Sequence, residues 1–326
     1  GTLGWGNTSS GSNTFAIGSF NQVSGSESMA IGYDSKATGD VVSYAIGECD
    51  EATASTTSAI GLYDKATGWV ASALGNYATA SGQFSLAVGN DSLASGDYST
   101  AVGNNSTSSG KNSTAIGDCD TAEGENSVSV GYHNNDANGA TTTCGDNSSA
   151  FGNSNTTTGN YSTALGYSNT AIGAYSLAIG SLSTASTENS IAIGTSATSS
   201  GTKDNIAIGT GSIATDPVST SSAIINGTTY TFGTTGATAT SSISVGGVQT
   251  VTNSDNTTTT YTNYRQIQNV ANGQVTANST DAVNGSQLYA VALEDQVHYF
   301  SVHSTTTGTG SNYNDDGATG ADAIAI

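Results

Sequence analysis

Two short stretches of the chain place acidic residues on both sides of a cysteine. The first, GECDEA, covers residues 47–52, and the second, GDCDTA, covers residues 117–122. His133 follows Cys119 by 14 residues, a distance that matches the repeat described below. Carboxylates, a thiolate and an imidazole are all metal ligands in proteins. The first chemistry to consider is therefore a metal site built on repeated turns of the chain.

The equivalent positions of neighbouring repeats argue against such a site. They are occupied by Tyr77, Asp91 and Asn105, which do not form a consistent set of ligands. Calcium needs about six or more oxygen ligands, and the glycine-rich nonapeptide repeat that binds calcium in other solenoids is absent. We therefore interpret the two stretches as solvated acidic corners. The sequence predicts neither a metal nor a cofactor.

Nucleophilic catalysis also lacks a motif. His298 and His303 are not spaced from a nucleophile and an acid as in known catalytic motifs. The cysteines, Cys49, Cys119 and Cys144, are odd in number and predict no disulfide framework. A β-helical acyltransferase would need a hexapeptide period and a catalytic histidine, and the hexapeptide period is absent. The sequence therefore predicts a protein that is not an enzyme and has no catalytic residues.

The composition excludes further classes of partner. Lys and Arg total 5 and Asp and Glu total 25, so the net charge is −20. Nucleic-acid binding depends on neutralising phosphates with Lys and Arg, and anionic lipid attracts the same residues. No apolar run is long enough to span a bilayer, so the sequence predicts no direct membrane insertion. The ends GTLGWG and ADAIAI resemble interrupted repeats, and we expect a segment of a longer exported protein.

The elements that position these residues are set by an internal repeat. A small residue, a branched or aromatic residue and then glycine recur, mostly 14 residues apart. We call the glycines of this pattern the marker glycines. They are Gly18, Gly32, Gly47, Gly61, Gly75, Gly89, Gly103, Gly117, Gly131, Gly152, Gly166, Gly173, Gly180, Gly194 and Gly209. A second glycine often lies midway, so the underlying unit is seven residues.

Seven residues with one glycine suit a strand followed by a corner. Two unlike halves then make one flattened turn of a solenoid, and successive turns pair as parallel strands. In the second half, exemplified by KATG, a small buried residue alternates with an exposed polar one. The sequence therefore predicts a mainly β fold, a parallel β-roll with 14-residue turns.

The half that contains AIG is restricted on both of its faces. The residue before the marker glycine is always apolar, and the one before that is almost always alanine. Because adjacent strand residues point to opposite faces, one face fills the roll and the other must meet another surface. We expect this second face to pack against other copies of the chain. The alanines are predicted to lie at that contact, as at Ala30, Ala59, Ala87 and Ala115.

The rest of the chain differs in texture. Alternating apolar residues and glycine corners after Pro217 read as a short β segment. The pattern of residues 279–297 predicts a helix. Leu288 and Val291 lie on a short apolar seam of this helix, which we expect to pack between chains. Arg265, the one arginine, is predicted to pair with an acid or to cap a helix of another chain.

The repeat and the residues that follow it resemble a known family. The AIG…ATG repeat precedes RQIQNVANGQVTANSTDAVNGSQLYAV, which contains TDAVNGSQL, and together they cover about residues 14–297. This order resembles the head and neck of YadA-like trimeric autotransporter adhesins. The resemblance implies a left-handed roll, an intertwined homotrimer, and a neck that leads into a coiled-coil stalk. It also implies a bacterial cell surface location, with the outer-membrane anchor in a C-terminal region outside this chain.

The resemblance divides the chain into four parts. Residues 1–216 are predicted to form the head, and residues 265–297 the neck and the start of a coiled coil. Residues 217–264 resemble a small β-rich insertion module that begins with IING, and they contain no tryptophan. Residues 298–326 resemble the truncated start of another head-like segment.

The resemblance also points to a ligand and to the residues that would bind it. Columns that read NSVAIG in some heads of this family are implicated in collagen binding. The matching residues are Asn112, Ser113, Asn126, Ser127, Asn189 and Ser190. Serine at this position recurs through much of the repeat, so the alternative is that these columns serve packing.

The function that follows is adhesion through three repetitive side faces. Host matrix proteins such as collagen or fibronectin, host cells and abiotic surfaces are the expected partners. The alternative is an ice-binding β-solenoid, which would need an unbroken Thr-x-Thr ladder on one flat column. Glutamate in the sequence AEG, at Glu123, breaks that column.

Overall fold

A computed structural model describes residues 1–134, 145–202, 204–225, 227–232, 239–253, 255–276 and 279–294. Two compact units are present, the first comprising Gly1–Val218 with Thr238–Arg265 and the second Ser219–Ala237 with Gln266–Ile326. Cys144, Asn226, His298, His303 and the predicted part 298–326 lie outside the described residues. Within those described, no helix has the length and hydrophobicity needed to cross a bilayer.

The first unit is a parallel β-roll. Each turn contains a long strand that ends near a marker glycine. The long strands form a 16-stranded sheet. They are Thr2–Trp5, Phe15–Ser19, Met29–Tyr33, Tyr44–Glu48, Ser58–Leu62, Ser72–Asn76, Leu86–Asn90, Thr100–Asn104, Thr114–Asp118, Val128–Tyr132, Ser149–Asn153, Thr163–Tyr167, Leu177–Ser181, Ile191–Ile193, Ile206–Ile208 and Ile243–Ser244.

Each turn also contains a short strand, and these form two further parallel sheets of 9 and 5 strands. They are Thr8–Ser9, Gln22–Val23, Lys36–Ala37, Glu51–Ala52, Lys65–Ala66, Thr79–Ala80, Leu93–Ala94, Thr107–Ser108 and Thr121–Ala122, then Thr156–Thr157, Thr170–Ala171, Thr184–Ala185, Thr198–Ser199 and Ile213–Ala214. The predicted parallel roll with 14-residue turns is confirmed, since marker glycines pair with one another, as in Gly61↔Gly75.

The interior of the roll accepts only small side chains. Alanines of the long strands, such as Ala59, and of the short strands, such as Ala66, are 0% exposed. The largest fully buried side chain among the described residues is Val23. Buried serines bind the backbone of the corners, as when Ser127 Oγ donates to the Gly124 carbonyl at 2.7 Å. A two-sheet turn of 14 residues thus closes on a core that is thin and densely hydrogen-bonded.

This burial corrects the orientation predicted for the long strands. Ala30, Ala59, Ala87 and Ala115 are fully buried inside their own chain, so they have no surface to offer another copy. Their predicted place at the contact between chains is wrong. The outward residue is the apolar one that follows each alanine, and Ile60 is 38% exposed. We call this outward column, one residue before each marker glycine of a long strand, the apolar stripe. Gly173 was predicted to be a marker glycine, but it follows the short strand Thr170–Ala171 and stacks on the midway residue Gly159, so it is not counted among the marker glycines below.

The sheet of the roll continues into the segment predicted as an insertion module. Ile243–Ser244 pairs in parallel with Ile206–Ile208, and the antiparallel hairpin Gly247–Thr252 with Thr258–Asn263 follows. In the second unit, Ser222–Ile225 pairs antiparallel with Thr228–Thr231. That unit also contains the helix Gly285–Glu294.

Candidate binding surface

Two corners of each turn present side chains to solvent. The first corner lies two residues after a marker glycine, and the second lies before the next long strand. Both carry residues with positive φ that are not glycine, such as Tyr77 with φ 58° and Asn126 with φ 56°. This conformation is uncommon for such residues. It is held because each N–H donates to the preceding turn, as Asn126 N does to the Lys111 carbonyl at 2.8 Å.

Asparagines at the two corners form hydrogen-bonded ladders between turns. Near the first corner, Asn76 donates to Asn90 at 3.1 Å and Asn90 donates to Asn104 at 2.9 Å. We call these three residues the first ladder. At the second corner, Asn112 donates to Asn126 at 3.1 Å, and Asn126 donates to Asn147 at 3.2 Å. The structure thus exposes two rows of amides spaced by one turn.

The predicted ligand residues divide between the inside and the outside of the roll. Asn112, Asn126 and Asn189 are exposed, and Asn189 donates to Asp204 at 2.8 Å. The serines that follow them point inward and are fully buried; they are Ser113, Ser127 and Ser190. A buried serine cannot contact a macromolecular ligand, so the prediction is wrong for these three. The alternative reading, that the serine column serves packing, is correct.

The acidic stretches do not converge on a metal. In the first, Asp50 is fully buried while Glu48 faces outward, so the two acids lie on opposite sides of the chain. Asp120 of the second is buried in the same way. Within the described ranges, no three His, Cys, Asp or Glu side chains are grouped so as to hold a metal ion. Neither Cys49 nor Cys119 forms a disulfide bond.

The buried aspartates form part of an interior polar column, three residues after the marker glycines. Asp64 Oδ1 accepts from Ala78 N at 2.7 Å, and Oδ2 accepts from Gly75 N at 2.6 Å. Burial raises the pKa of Asp64 to about 6, although those hydrogen bonds oppose the shift. Burial also raises the pKa of Asp50 and of Asp120. The solvated position predicted for Asp50 and Asp120 is therefore wrong, because both side chains are fully buried.

Asparagine occupies the same interior column in other turns. Asn155 Nδ2 donates to the carbonyls of Phe151 and Gly166, each at 2.9 Å. Its Oδ1 accepts from Asn169 N at 3.0 Å. A neutral amide therefore satisfies this position with donors and an acceptor together. An ionised carboxylate offers acceptors alone.

Aromatic side chains stack along the corners, which the sequence analysis did not identify. The rings of Tyr63 and Tyr77 lie 5.1 Å apart, and Phe84 and Tyr98 lie 5.0 Å apart. Trp69 meets Phe84 edge to face at 4.8 Å. The available signal was the recurrence of aromatic residues at 14-residue spacing. A strict repeat places such residues one above the other.

Arg265 has a role within its own roll. Its Nη1 donates to Ser212 Oγ at 3.0 Å, and the guanidinium also binds the carbonyls of Thr210 and Val245. It therefore ties the last turn of the roll to the strand that closes it. None of these contacts involves an acid, and the predicted capping of a helix of another chain stays a prediction.

The helix of the second unit exposes its apolar seam in the isolated chain. Leu288 is 66% exposed and Val291 is 59% exposed. Solvent exposure of an apolar seam on a short helix is typical of a helix that packs against another chain. The predicted packing of these two residues between chains stays a prediction.

Comparisons with known proteins agree with this architecture. The family of the YadA head domain repeat matches residues 24–40, 71–92, 94–118, 145–169 and 171–197. The coiled stalk of trimeric autotransporter adhesins matches residues 266–294. No curated protein gives a significant match to the chain.

Two solved structures are similar to the chain. One is the C-terminal YadA-like domain of a Burkholderia pseudomallei protein, at 29% identity and a TM-score of 0.23; the match covers 39% of this chain and 50% of that one. The other is the collagen-binding domain of the Yersinia adhesin YadA, at 24% identity and a TM-score of 0.30, covering 66% of this chain and 87% of that one. The chain thus spans half the length of the first.

Head repeats followed by a stalk segment define a trimeric autotransporter adhesin. The chain belongs to the YadA-like family of these adhesins. This confirms the resemblance seen in the sequence.

Proposed function

We propose that this chain is an adhesive head on the surface of a bacterium, anchored in the outer membrane by a region outside the chain. Three copies assemble through the apolar stripe, and the exposed corners bind the target. The observation that carries the proposal is the repetition of the same exposed corner over successive turns, which holds surface side chains in register. Many weak sites in register give strong attachment without a deep pocket. The role is binding and involves no catalysis.

The apolar stripe is the surface best suited to assembly. Its members are partly exposed in the isolated chain, with Ile116 at 40% and Leu165 at 45%. The stripe follows the long-strand sheet, so it forms a continuous apolar face. Contiguous apolar surface of this kind marks interfaces between proteins. A homotrimer, as the family's name states, would cover it on every copy.

The assembly is tested by placing charge on the stripe. We expect the double variant Ile60→Asp and Ile116→Asp to be a monomer, because an ionised carboxylate in an apolar interface is costly to desolvate. The measurement is the solution mass by light scattering after size exclusion over a dilution series. The control is Thr79→Asp with Thr121→Asp, which adds the same charge on the short-strand sheet and should keep the mass of three chains. A stripe variant that keeps that mass would contradict the proposed interface.

The proposed target is an extracellular matrix protein such as collagen or fibronectin, or an abiotic surface. The residues proposed to bind this target are the outward asparagines of the second corner, Asn112, Asn126 and Asn189. Amides both donate and accept hydrogen bonds and carry no charge, so they suit a neutral polypeptide backbone. With a net charge of −20, the surface disfavours a polyanionic target.

The binding surface is tested by removing amides at one corner at a time. We expect Asn126→Ala alone to change adhesion to immobilised collagen, fibronectin or polystyrene very little, because neighbouring turns compensate. The triple variant Asn112→Ala, Asn126→Ala and Asn189→Ala should weaken adhesion by about tenfold or more, since avidity depends on site number.

The first ladder supplies the matched control for this test. Replacing Asn76, Asn90 and Asn104 with alanine removes the same number of ladder amides near the other corner, of which Asn76 is half-buried and the other two are exposed. Adhesion should then remain near that of the unmodified chain. Equal loss in both triple variants would mean that the second corner is not the binding surface, and complete loss from Asn126→Ala alone would contradict a distributed mechanism.

A further inference from the structure

Two pairs of tyrosines lie face to face on consecutive turns. The ring centres of Tyr161 and Tyr175 are 4.9 Å apart with an interplanar angle of 2°. Those of Tyr63 and Tyr77 are 5.1 Å apart, also at 2°. In each pair both residues occupy the same corner of adjacent turns, so the inter-strand spacing of about 4.8 Å holds the two phenols together. This placement does not depend on a partner chain.

The pair Tyr161–Tyr175, which lies at the second corner, is open to solvent. Tyr161 is 52% exposed and Tyr175 is 57% exposed. Their neighbours in the column are Asn147 on one side and Asn189 on the other, both exposed. A diffusible oxidant therefore reaches both phenols. Among the described residues, no ring other than the partner tyrosine is stacked on Tyr161 or on Tyr175.

We propose that Tyr161–Tyr175, and secondarily Tyr63–Tyr77, are oxidative coupling sites at which hydrogen peroxide and a haem peroxidase join adjacent turns through a dityrosine bond. Each phenol loses one hydrogen atom, as an electron and a proton, and becomes a phenoxyl radical. The two radicals couple between ortho Cε carbons, and the ring hydrogens then move to the phenol oxygens. The hydrogen peroxide is reduced to water, which takes up the two hydrogen atoms lost by the pair.

A thiol distinguishes the two pairs. Cys49 lies one turn before Tyr63 at the same corner of the roll. A neighbouring thiol gives a hydrogen atom to a phenoxyl radical and so restores the phenol, which leaves a thiyl radical on sulfur. The thiyl radical then loses one electron to the peroxidase and takes up hydroxide from water, so that the thiol becomes a sulfenic acid while one hydrogen peroxide is reduced to water. The Tyr161–Tyr175 pair therefore couples first. Tyr63–Tyr77 couples once Cys49 has been oxidised, and Cys49→Ser should bring the two pairs to similar rates.

The test treats the full chain with a haem peroxidase and hydrogen peroxide. Dityrosine is followed by its fluorescence and located by mass spectrometry, as a linked peptide pair that has lost two hydrogens. Digestion uses chymotrypsin, because Leu165 and Tyr167 lie between Tyr161 and Tyr175, whereas no Asp, Glu, Lys or Arg does. We expect Tyr175→Phe to abolish the linked Tyr161 peptide while circular dichroism remains unchanged.

The chain contains its own matched control. Tyr98 stacks on Phe84 at 5.0 Å and 9°, so it has the same geometry with one phenol instead of two. Tyr98→Phe should leave the dityrosine yield unchanged, and Phe84→Tyr should create a third linked pair. Three results would each overturn the proposal: linked Tyr98 peptides in the unmodified chain, unchanged yield in Tyr175→Phe, or bonds formed mainly between chains as covalent dimers on a denaturing gel.

Discussion

Replacing Gly75 with alanine is expected to destabilise the roll by at least about 3 kcal/mol, because both steric clash and backbone strain oppose the change. A Cβ at this position would lie 2.0 Å from the Gly89 carbonyl oxygen and 2.8 Å from its carbon. Both are backbone atoms of the next turn, so neither moves without separating the two strands. Gly75 also has φ +153°, a conformation that L side chains rarely adopt.

The measurement for Gly75→Ala is urea unfolding followed by circular dichroism. Ser72→Ala provides the control on the same strand, since Ser72 points outward and the change adds no atoms. It should alter the free energy of unfolding by no more than about 0.5 kcal/mol. If Gly75→Ala behaved like Ser72→Ala, the marker glycine would not be required by the close approach of turns.

Replacing Asp64 with asparagine is expected to stabilise the roll at neutral pH. The folded-state pKa of Asp64 is raised from 3.8 to about 6 by burial, so the folded chain retains a proton that the unfolded chain releases. Stability from this proton is therefore fully present below pH 3.8 and is lost as the pH rises through 6. The loss amounts to at most about 3 kcal/mol at 1.36 kcal/mol per pKa unit, because solvent screening reduces it. Asparagine is neutral at every pH in this range, so the variant avoids this loss of stability.

The expected readout is a change in pH dependence. Urea unfolding of Asp64→Asn should show a smaller loss of stability between pH 4 and pH 7 than the unmodified chain, with the largest gain at pH 7. Some loss should remain, because burial also raises the pKa of Asp50 and Asp120. Asp91→Asn makes the same replacement at an exposed corner and serves as the control for the substitution itself. An unaltered slope in Asp64→Asn would mean that Asp64 is ionised in the folded chain.

The spacing of glycines was sufficient to predict the turns and their register. Gly18 and Gly32 pair as expected, and the small residue Ala37 of a short strand is buried. The pattern of the long strand alone could not predict which of its side chains point into the roll, because the residue types at the positions of Ala59 and Ile60 vary equally little between turns. The short strands held the missing signal, since a core lined by Ala37 leaves little room opposite it. A thin interior selects alanine there and turns the larger isoleucine outward.

The candidate surface was predicted in part. Asn126 is exposed as expected at the corner, whereas Ser127, between the corner and the strand Val128–Tyr132, points inward and is fully buried. The raised pKa of Asp64 could not be predicted from the sequence, since it depends on burial and on two backbone donors from another turn. The tyrosine stacks were accessible from spacing alone, given that Tyr161 and Tyr175 are 14 residues apart.

The roll tolerates extra residues between its strands, and this tolerance affects how the number of turns changes during evolution. Gly32 pairs with Gly47 across 15 residues, and Gly131 pairs with Gly152 across 21, yet both pairs keep the common register. Each turn presents the same kind of upper and lower surface to its neighbours. Gain or loss of one unit by unequal recombination therefore joins surfaces that already fit. The reach of the head above the cell can evolve through copy number, without new contacts having to be selected.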